Sequence, residues 1–475
     1  MKNTTLYHLL SSFSAQELQQ FGAYVHSPFF NKNEKVQHLY EYLVKEDLDV
    51  EKKKAYRYVF KASDYQEIRL NNVISDLLQL AYGFLIQQQL LSVPLQQQAH
   101  LLESLIERNV QRPISRILQK GARIEQNIAA QSYQFLQEKY NYLEQLDRFA
   151  LTQNQREYDE NLQKMSDTLD VYYLCNKFRI ACEMVSRSAM LNEKYEPNFI
   201  AATLEEYKQN QIQYATFPAL KIYYQAYQFL NQTSAIGYQE LKTLLQEYPS
   251  VLSRPELRHL YTYMLNFSVR QINFGRSEYY QEILQIYQTL MEQNLLLQHG
   301  YLTKWSFINA TTTGMRLEAY EWTEKFIQNY QNVLRKEERK NTVDYQLAAL
   351  YFAKGDFSKT LQFLQQVEFT DTFYQASARI IQLKVFYELE EIEPFYALVK
   401  SIRNLLRRKR KLSEYHRLSY LNFVRIAKRL LDLKLRPLYQ IRERHLKFKE
   451  QLENAEPMAN KEWVWRKYQL VTQKI

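Results

Sequence analysis

The stretch from Asp344 to Val367, DYQLAALYFAKGDFSKTLQFLQQV, constrains the fold more than any other part of the chain. Its apolar side chains recur at the spacing of two short amphipathic helices, one on each side of Gly355. Gly355 can take the positive φ that ends the first helix, and Asp356 or Ser358 can cap the second. Neither helix buries its apolar face alone, so the stretch predicts a hairpin that needs neighbouring hairpins.

This hairpin resembles a tetratricopeptide repeat (TPR). In that family a leucine and a small residue precede a large aromatic, and a Gly-Asp-aromatic turn leads into the second helix. Eight residues fill the family's places: Leu347, Ala348, Tyr351, Gly355, Asp356, Phe357, Leu361 and Leu364. Thr360 stands where alanine is usual, and Asp344 stands where tryptophan is usual. The resemblance covers about one repeat. It implies a helical solenoid that binds other macromolecules and carries no catalytic residue.

Composition favours helices throughout. Only 8 glycines and 10 prolines occur in 475 residues, which leaves little material for tight strand turns. Gln, Leu, Glu, Lys and Ala are abundant, and all are good helix formers. We therefore predict an all-α fold, an α-solenoid of stacked TPR-like or HEAT-like hairpins with an irregular helical N-terminal part.

Three regions are predicted along the chain. Residues 1–92 form an irregular helical cap, 93–217 a long-helix region, and 218–475 hairpin repeats of about 40 residues with a basic C-terminal part. Ser14 and Glu17 form a capping-box pattern at the start of an early helix. The SPFFNKN connector and the segment RLNNVISDLLQL resemble the start of an uncharacterised bacterial family, a resemblance that implies no activity.

Four glycines recur at a nearly constant spacing after residue 218. Gly237, Gly275, Gly314 and Gly355 are separated by 38, 39 and 41 residues, and each is followed by a periodic apolar run. This period predicts that each glycine lies in the turn of a helical hairpin. The alternative is that the spacing arises by chance.

Neither export nor membrane insertion is indicated. The N-terminus lacks the pattern of a signal peptide, and the most apolar window, Leu77 to Ile86, is far shorter than the ~20 residues of a membrane span. Cys175 and Cys182 lie seven apart on one predicted helix, too far for a disulfide. We therefore expect two buried, reduced thiols and a cytoplasmic location.

Motifs of catalysis and cofactor binding are missing from the sequence. It contains no GxGxxG, no GxxxxGK[ST], no HExxH, no CxxC and no GxSxG. The eight histidines are scattered along the chain. We expect no catalytic residue, no metal site and no cofactor, and an enzyme is the least favoured function.

Positive charge is concentrated in one region, between Lys400 and Lys449. This basic region holds 17 lysines and arginines and 3 acidic residues, a net charge of +14, whereas the rest of the chain sums to −4. Such a surface attracts anionic partners, although a solvated face that only aids solubility is the equal alternative. The candidate binding residues are Arg403, Arg407, Arg408, Lys409, Arg410, Lys411, Arg417, Arg425, Lys428 and Arg429.

Two functions remain open. The first is a non-catalytic interaction or scaffold module that binds a protein or peptide along the concave face of the solenoid. The alternative is a helical repeat that binds RNA or DNA through the basic region. The 39 tyrosines and 25 phenylalanines suit either packing between stacked helices or a binding groove, and packing is favoured.

Overall fold

The computed structural model of the protein describes residues 1–127, 132–153, 160–191, 195–232, 234–298, 300–367, 372–408 and 414–473. Within these ranges the chain forms twenty-four α-helices and one short 3-10 helix, and no strand beyond an isolated bridge between Gln298 and Tyr301. Many consecutive helices pack on one another in chain order. The prediction of an all-α, solenoid-like fold is confirmed.

The helices fall into two compact units, Met1–Ser253 and Arg254–Ile475. The finer division at residues 92 and 217 stays a prediction. The helices of the first unit are α1 (Thr5–Leu10), α2 (Ala15–His26), α3 (Glu34–Lys45), α4 (Lys52–Phe60), α5 (Glu67–Leu91), α6 (Pro94–Glu107), α7 (Ile114–Asn127), α8 (Tyr133–Thr152), α9 (Glu160–Leu191), α10 (Ile200–Gln209), α11 (Gln211–Tyr214), α12 (Pro218–Gln232) and α13 (Ala235–Glu247).

Helices α1 to α5 pack around one apolar core whose residues run from Leu6 to Phe84. The predicted capping box is present at the start of α2. Ser14 Oγ accepts a hydrogen bond from the N–H of Glu17 at 3.2 Å, and the Glu17 carboxylate accepts one from the N–H of Ser14 at 2.7 Å. In the connector that follows, buried Asn31 donates to a carbonyl of α2 at 2.9 Å. These contacts fix the path from α2 to α3.

Helix α9 is the centre of the rest of the first unit, because α8, α10 and α12 all pack on it. Phe178, Cys175 and Cys182 are buried along its length, and both cysteines are free. Burial raises the pKa of Cys182 well above its usual range, so the thiol stays protonated. The prediction of two buried, unlinked thiols on one helix is confirmed.

The second unit is a series of helical hairpins followed by a closing helix. The pairs α14/α15, α16/α17, α18/α19, α20/α21 and α22/α23 each pack as a hairpin, and the first helices α16, α18, α20 and α22 pack side by side. The bounds are α14 (Arg254–Asn273), α15 (Tyr279–Glu292), α16 (Lys304–Arg316), α17 (Tyr320–Tyr330), α18 (Lys336–Lys354), α19 (Phe357–Gln366), α20 (Thr372–Glu388), α21 (Ile392–Arg408), α22 (Glu414–Lys434), α23 (Leu438–Glu453) and α24 (Lys461–Thr472), with the 3-10 helix at Gln331–Val333.

The hairpin α18/α19 has the predicted turn. Gly355 adopts φ +80°, and the N–H of Asp356 donates to the carbonyl of Tyr351 at 2.9 Å. Asp356 then caps α19, since its carboxylate accepts from the N–H of Lys359 at 3.0 Å. The hairpin predicted from periodicity is therefore present.

The prediction that all four periodic glycines lie in turns is wrong. Gly275 and Gly355 lie in turns, but Gly237 lies in the first turn of α13 and Gly314 lies inside α16. Gly314 instead allows α16 and α17 to pack closely against each other. A Cβ there would lie 2.1 Å from Thr323 Oγ1, so α16 and α17 approach this closely only because the residue is glycine.

A different turn repeats in the second unit. Within four of the hairpins it ends the first helix, and its residue of positive φ is Gly275, Glu318, Gly355 or Glu390, at spacings of 43, 37 and 35 residues. After each one, the next N–H donates to a carbonyl five residues earlier, at distances of 3.1, 2.8, 2.9 and 3.0 Å. This is the hydrogen bond of a Schellman cap. A repeated turn is therefore present inside four hairpins, with glutamate in place of glycine at two of them, and the same cap also ends α15 at Asn294. The glycine spacing of 38, 39 and 41 residues does not mark these turns.

Candidate binding site

A cavity of about 460 Å³ lies within the second unit. It is enclosed by the first helices α16, α18 and α20, by the start of α17, and by the C-terminal helix α24. Much of its wall is aromatic, formed by Trp305, Tyr320, Tyr345, Phe352 and Trp463. Trp305 is 62% exposed, which places it at the open rim.

The chain before α24 is tied to α22. Asn422 Nδ2 donates to the carbonyl of Pro457 at 2.9 Å. The N–H of Ala459 donates to the carbonyl of Ser419 at 3.2 Å. The C-terminal segment therefore crosses α22 and is held there before α24 begins.

Polar side chains then hold α24 against α20 and α16. Both carboxylate oxygens of Glu388 on α20 are used: Trp463 Nε1 donates to one at 3.2 Å and Lys467 Nζ to the other at 2.6 Å. Arg316 on α16 pairs with Glu462 on α24. These contacts make α24 one wall of the cavity.

Lys384 on α20 is the buried cation of this cavity. It is only 9% exposed, and its ammonium donates to Asn460 Oδ1 at 3.1 Å. The Nζ atom lies 4.6 Å from the ring centre of Phe352 and 5.7 Å from that of Trp463. Among the described residues, these uncharged groups are its close partners, and no carboxylate forms an ion pair with it.

The pKa of Lys384 falls from 10.5 to about 7. Burial is the main cause, because the charged form loses its hydration. Arg316 and Arg466 lower the pKa further, whereas Glu388 opposes the shift. Lys384 is therefore partly neutral near pH 7, and a bound anion would restore its charge.

The basic region is placed only in part. Arg403 is half-buried and Arg407 exposed, one turn apart on α21. Arg408 ends α21, but its side chain is outside the described part of the structure. Lys409, Arg410 and Lys411 also lie outside the described residues.

On α22, three of the four candidate cations already have a partner. Arg417 lies 3.7 Å from the Glu414 carboxylate, Lys428 lies over a tyrosine ring at 5.7 Å, and Arg429 donates to a glutamine at 2.8 Å. Arg425 is exposed. Whether these residues bind an anionic partner stays a prediction.

Sequence reasoning missed the cavity. A signal was present, since Lys384 stands within a run of apolar residues, IIQLKVFY. Lysine is almost never buried in a protein core unless another group pairs with it, because burial of a charge is costly. Its partner Asn460, however, is 76 residues away, and no local pattern connects the two.

Another depression, of about 810 Å³, lies between α12 and α13 in the first unit. It is lined by residues such as Ile236, Thr243 and Leu244, and its polar pair Gln225 and Glu240 is already hydrogen-bonded at 2.6 Å. No buried charge lines it. The cavity at Lys384 is therefore the stronger candidate, although the depression is larger.

Fold and cavity together define a protein of stacked helical hairpins with an aromatic, cationic site in its second unit. No family model, no curated protein and no solved structure matches the chain. The resemblance of the N-terminal part to a bacterial family thus has no match to support it. Over the described ranges, no helix is long and apolar enough to span a bilayer, and no three His, Cys, Asp or Glu side chains are grouped as metal ligands.

Proposed function

We propose that the protein is a non-catalytic interaction module that binds a protein or peptide partner on the face formed by the first helices of its C-terminal hairpins. One observation carries the proposal: this face already holds a polypeptide segment. Residues from Pro457 to Lys467 lie against α20 and α22 through backbone and side-chain hydrogen bonds and through the buried ring of Trp463.

The uncovered part of the same face has the character of a binding surface. Trp305 is largely exposed beside the cavity, Met315 is half-buried, and Ala353 is exposed. Aromatic and methionine side chains at the rim of a pocket are typical anchors for a partner. We further propose a cytoplasmic location, supported by the two buried, unlinked cysteines.

The test is selection of peptides from a displayed random library by the whole chain. Ala353→Trp would fill the mouth of the cavity, and Gln362→Trp on α19 is the control, because it adds the same side chain at an exposed position away from the cavity. Selected peptides should bind Ala353→Trp at least about tenfold more weakly and Gln362→Trp as well as the parent. Failure to enrich any peptide, or equal binding to all three proteins, would contradict the proposal.

Nucleic-acid binding through the basic region is the second candidate. The net charge of +14 and the exposed Arg407, Arg425 and Arg429 favour it. Phosphate contacts weaken steeply as salt rises, whereas an apolar groove changes little. A partner that is captured from lysate only without nuclease, and is released by moderate salt, would favour this candidate.

A further inference from the structure

Lys384 carries a charge that the described part of the chain does not balance. An ammonium group has three donors, and Asn460 accepts from one of them. Glu388 lies one turn along α20, but Trp463 and Lys467 occupy both of its oxygens. Burial of an unpaired ion is costly, so such a group is expected where a ligand completes it.

The remaining charges around the cavity also favour an anion. Three cations line it, and they are Arg316, Lys384 and Arg466. Of the two lining carboxylates, Glu462 pairs with Arg316, and Glu318 is exposed in the turn before α17. The five charged lining groups therefore sum to +1, and Lys384 is the buried cation among them.

The shape of the cavity restricts the rest of the ligand. The rings of Phe352 and Trp463 both lie near the ammonium, at 4.6 and 5.7 Å, and Ala349 and Ile381 add apolar side chains to the wall. A volume of about 460 Å³ is within the range of small-molecule sites. These features suit a ligand that has a flat apolar ring and one negatively charged group.

We infer that the cavity binds a small aromatic carboxylate, which accepts a hydrogen bond from Lys384 and lies with its ring against Phe352 and Trp463. Closure of one side by α24 favours a free small molecule over a peptide. Because Asn460 and Trp463 belong to the C-terminal segment, such a ligand also holds that segment to α18 and α20. The inference goes beyond partner binding and does not depend on it.

The probes are 2-naphthoate and its neutral amide, 2-naphthamide, measured by calorimetry and thermal melting with the whole chain. We expect 2-naphthoate to raise the melting temperature and to bind at least about tenfold more tightly than the amide. Lys384→Met should remove this preference. Lys325→Met, which removes an exposed lysine of α17 away from the cavity, should keep it.

Asn460→Asp provides a test that does not require removal of the lysine. It places a carboxylate against Lys384 inside the protein, so it should raise the melting temperature and abolish binding of 2-naphthoate. The rise in melting temperature should disappear in the Lys384→Met background. The inference is overturned if acid and amide bind alike, if 2-naphthoate binds more weakly than about 1 mM, or if Asn460→Asp binds it normally. Binding of the peptide acetyl-Trp-Glu-amide with rejection of 2-naphthoate would also overturn it.

Discussion

The second unit contains two cationic regions of opposite kinds. The basic region between Lys400 and Lys449 has many cations, and those that the structure describes are exposed or only partly buried, among them Arg407 and Arg425. The cavity depends on one buried lysine, Lys384, which has only uncharged close partners among the described residues. Exposed cations are solvated and interact weakly, whereas a buried one is costly and chemically altered.

The number of cations in a region and the burial of a cation are therefore separate properties. Counting residues finds the basic region at once, but its described cations are exposed or half-buried, where water and counter-ions screen them. A single cation enclosed by Phe352 and Trp463 has a lowered pKa and therefore responds to any anion that enters. The predictions that follow separate the two regions, in order of decreasing effect on the free energy of unfolding.

Trp463→Ala should affect the cavity most. Trp463 is 7% exposed and its ring lies 5.2 Å from that of Tyr387 and 6.0 Å from that of Phe423. Its loss should lower the free energy of unfolding by about 3 to 5 kcal/mol in denaturant melts. Trp465→Ala, at a half-buried position of the same helix, is the control and should cost clearly less. Equal costs would mean that docking of α24 does not depend on the cavity wall.

Lys384→Met should change how stability depends on pH. The folded parent releases the Lys384 proton near pH 7 and the unfolded chain near pH 10.5, so unfolding takes up a proton between these values. The parent therefore gains stability as pH rises through this window, and this contribution is lost as pH falls through about 7.

The variant lacks this pH-dependent contribution of Lys384. It should be more stable than the parent at pH 6, because the parent then buries a charged ammonium group. That advantage should shrink by about 2 to 3 kcal/mol when both are measured at pH 9. Denaturant melts at the two pH values provide the measurement, with Lys325→Met as the control that shows no such change. An advantage that is the same at both pH values would contradict the lowered pKa of Lys384.

Gly355→Val tests the hairpin that supplies the α18 wall of the cavity. A Cβ at Gly355 meets nothing within 4 Å, so the cost comes from the backbone conformation at φ +80°. We expect a loss of about 1 kcal/mol or more in the free energy of unfolding. Glu318→Gly should give a gain of about 0.5 to 1 kcal/mol, because it relieves the same conformation at φ +57°. A loss of stability in Gly355→Val together with a gain in Glu318→Gly would show that both residues occupy the same left-handed turn. A change in the same direction in both variants would contradict this.

Neutralising the basic region should affect stability least. Changing Arg407, Arg408, Lys409, Arg410 and Lys411 to Ser or Gln should leave helicity intact and the melting temperature equal or higher, because repulsion among cations is removed. Retention on heparin or RNA at ~0.1 M salt should be abolished or strongly weakened. The exposed lysines Lys53 and Lys54 of α4, changed to Gln, are the control. Retention equal to the parent's would mean that the cluster is only a solvated face.

Local sequence patterns were sufficient for one hairpin of the second unit, α18/α19. The apolar spacing around Gly355 predicted α18, its turn and α19, because helix faces and caps are set by residues within a few positions. The prediction from the glycine period was wrong at positions whose structure does not depend on nearby residues alone. Glycine is required at Gly314 because Thr323 of the next helix approaches closely. Glu318 adopts a left-handed backbone conformation that a glutamate in the sequence does not predict.

The cavity depends on contacts that no local pattern encodes. It exists because the C-terminal segment crosses α22 and brings Asn460 and Trp463 to Lys384. Neither Asn460 nor Trp463 stands in a local pattern that points to Lys384, and only the tertiary fold buries the lysine without an ion-pair partner. A lysine inside an apolar run was the one available hint of the site.

The most direct test of the account is the pH titration of lysine side chains by carbon-13 NMR of the whole chain labelled at lysine Cε. One lysine signal should titrate near pH 7 and should be missing from the spectrum of Lys384→Met. In Asn460→Asp the same signal should move to a higher pKa, because a carboxylate then stabilises the charged form. A spectrum in which no lysine signal titrates near pH 7 would contradict the central claim that Lys384 is buried without an ion-pair partner.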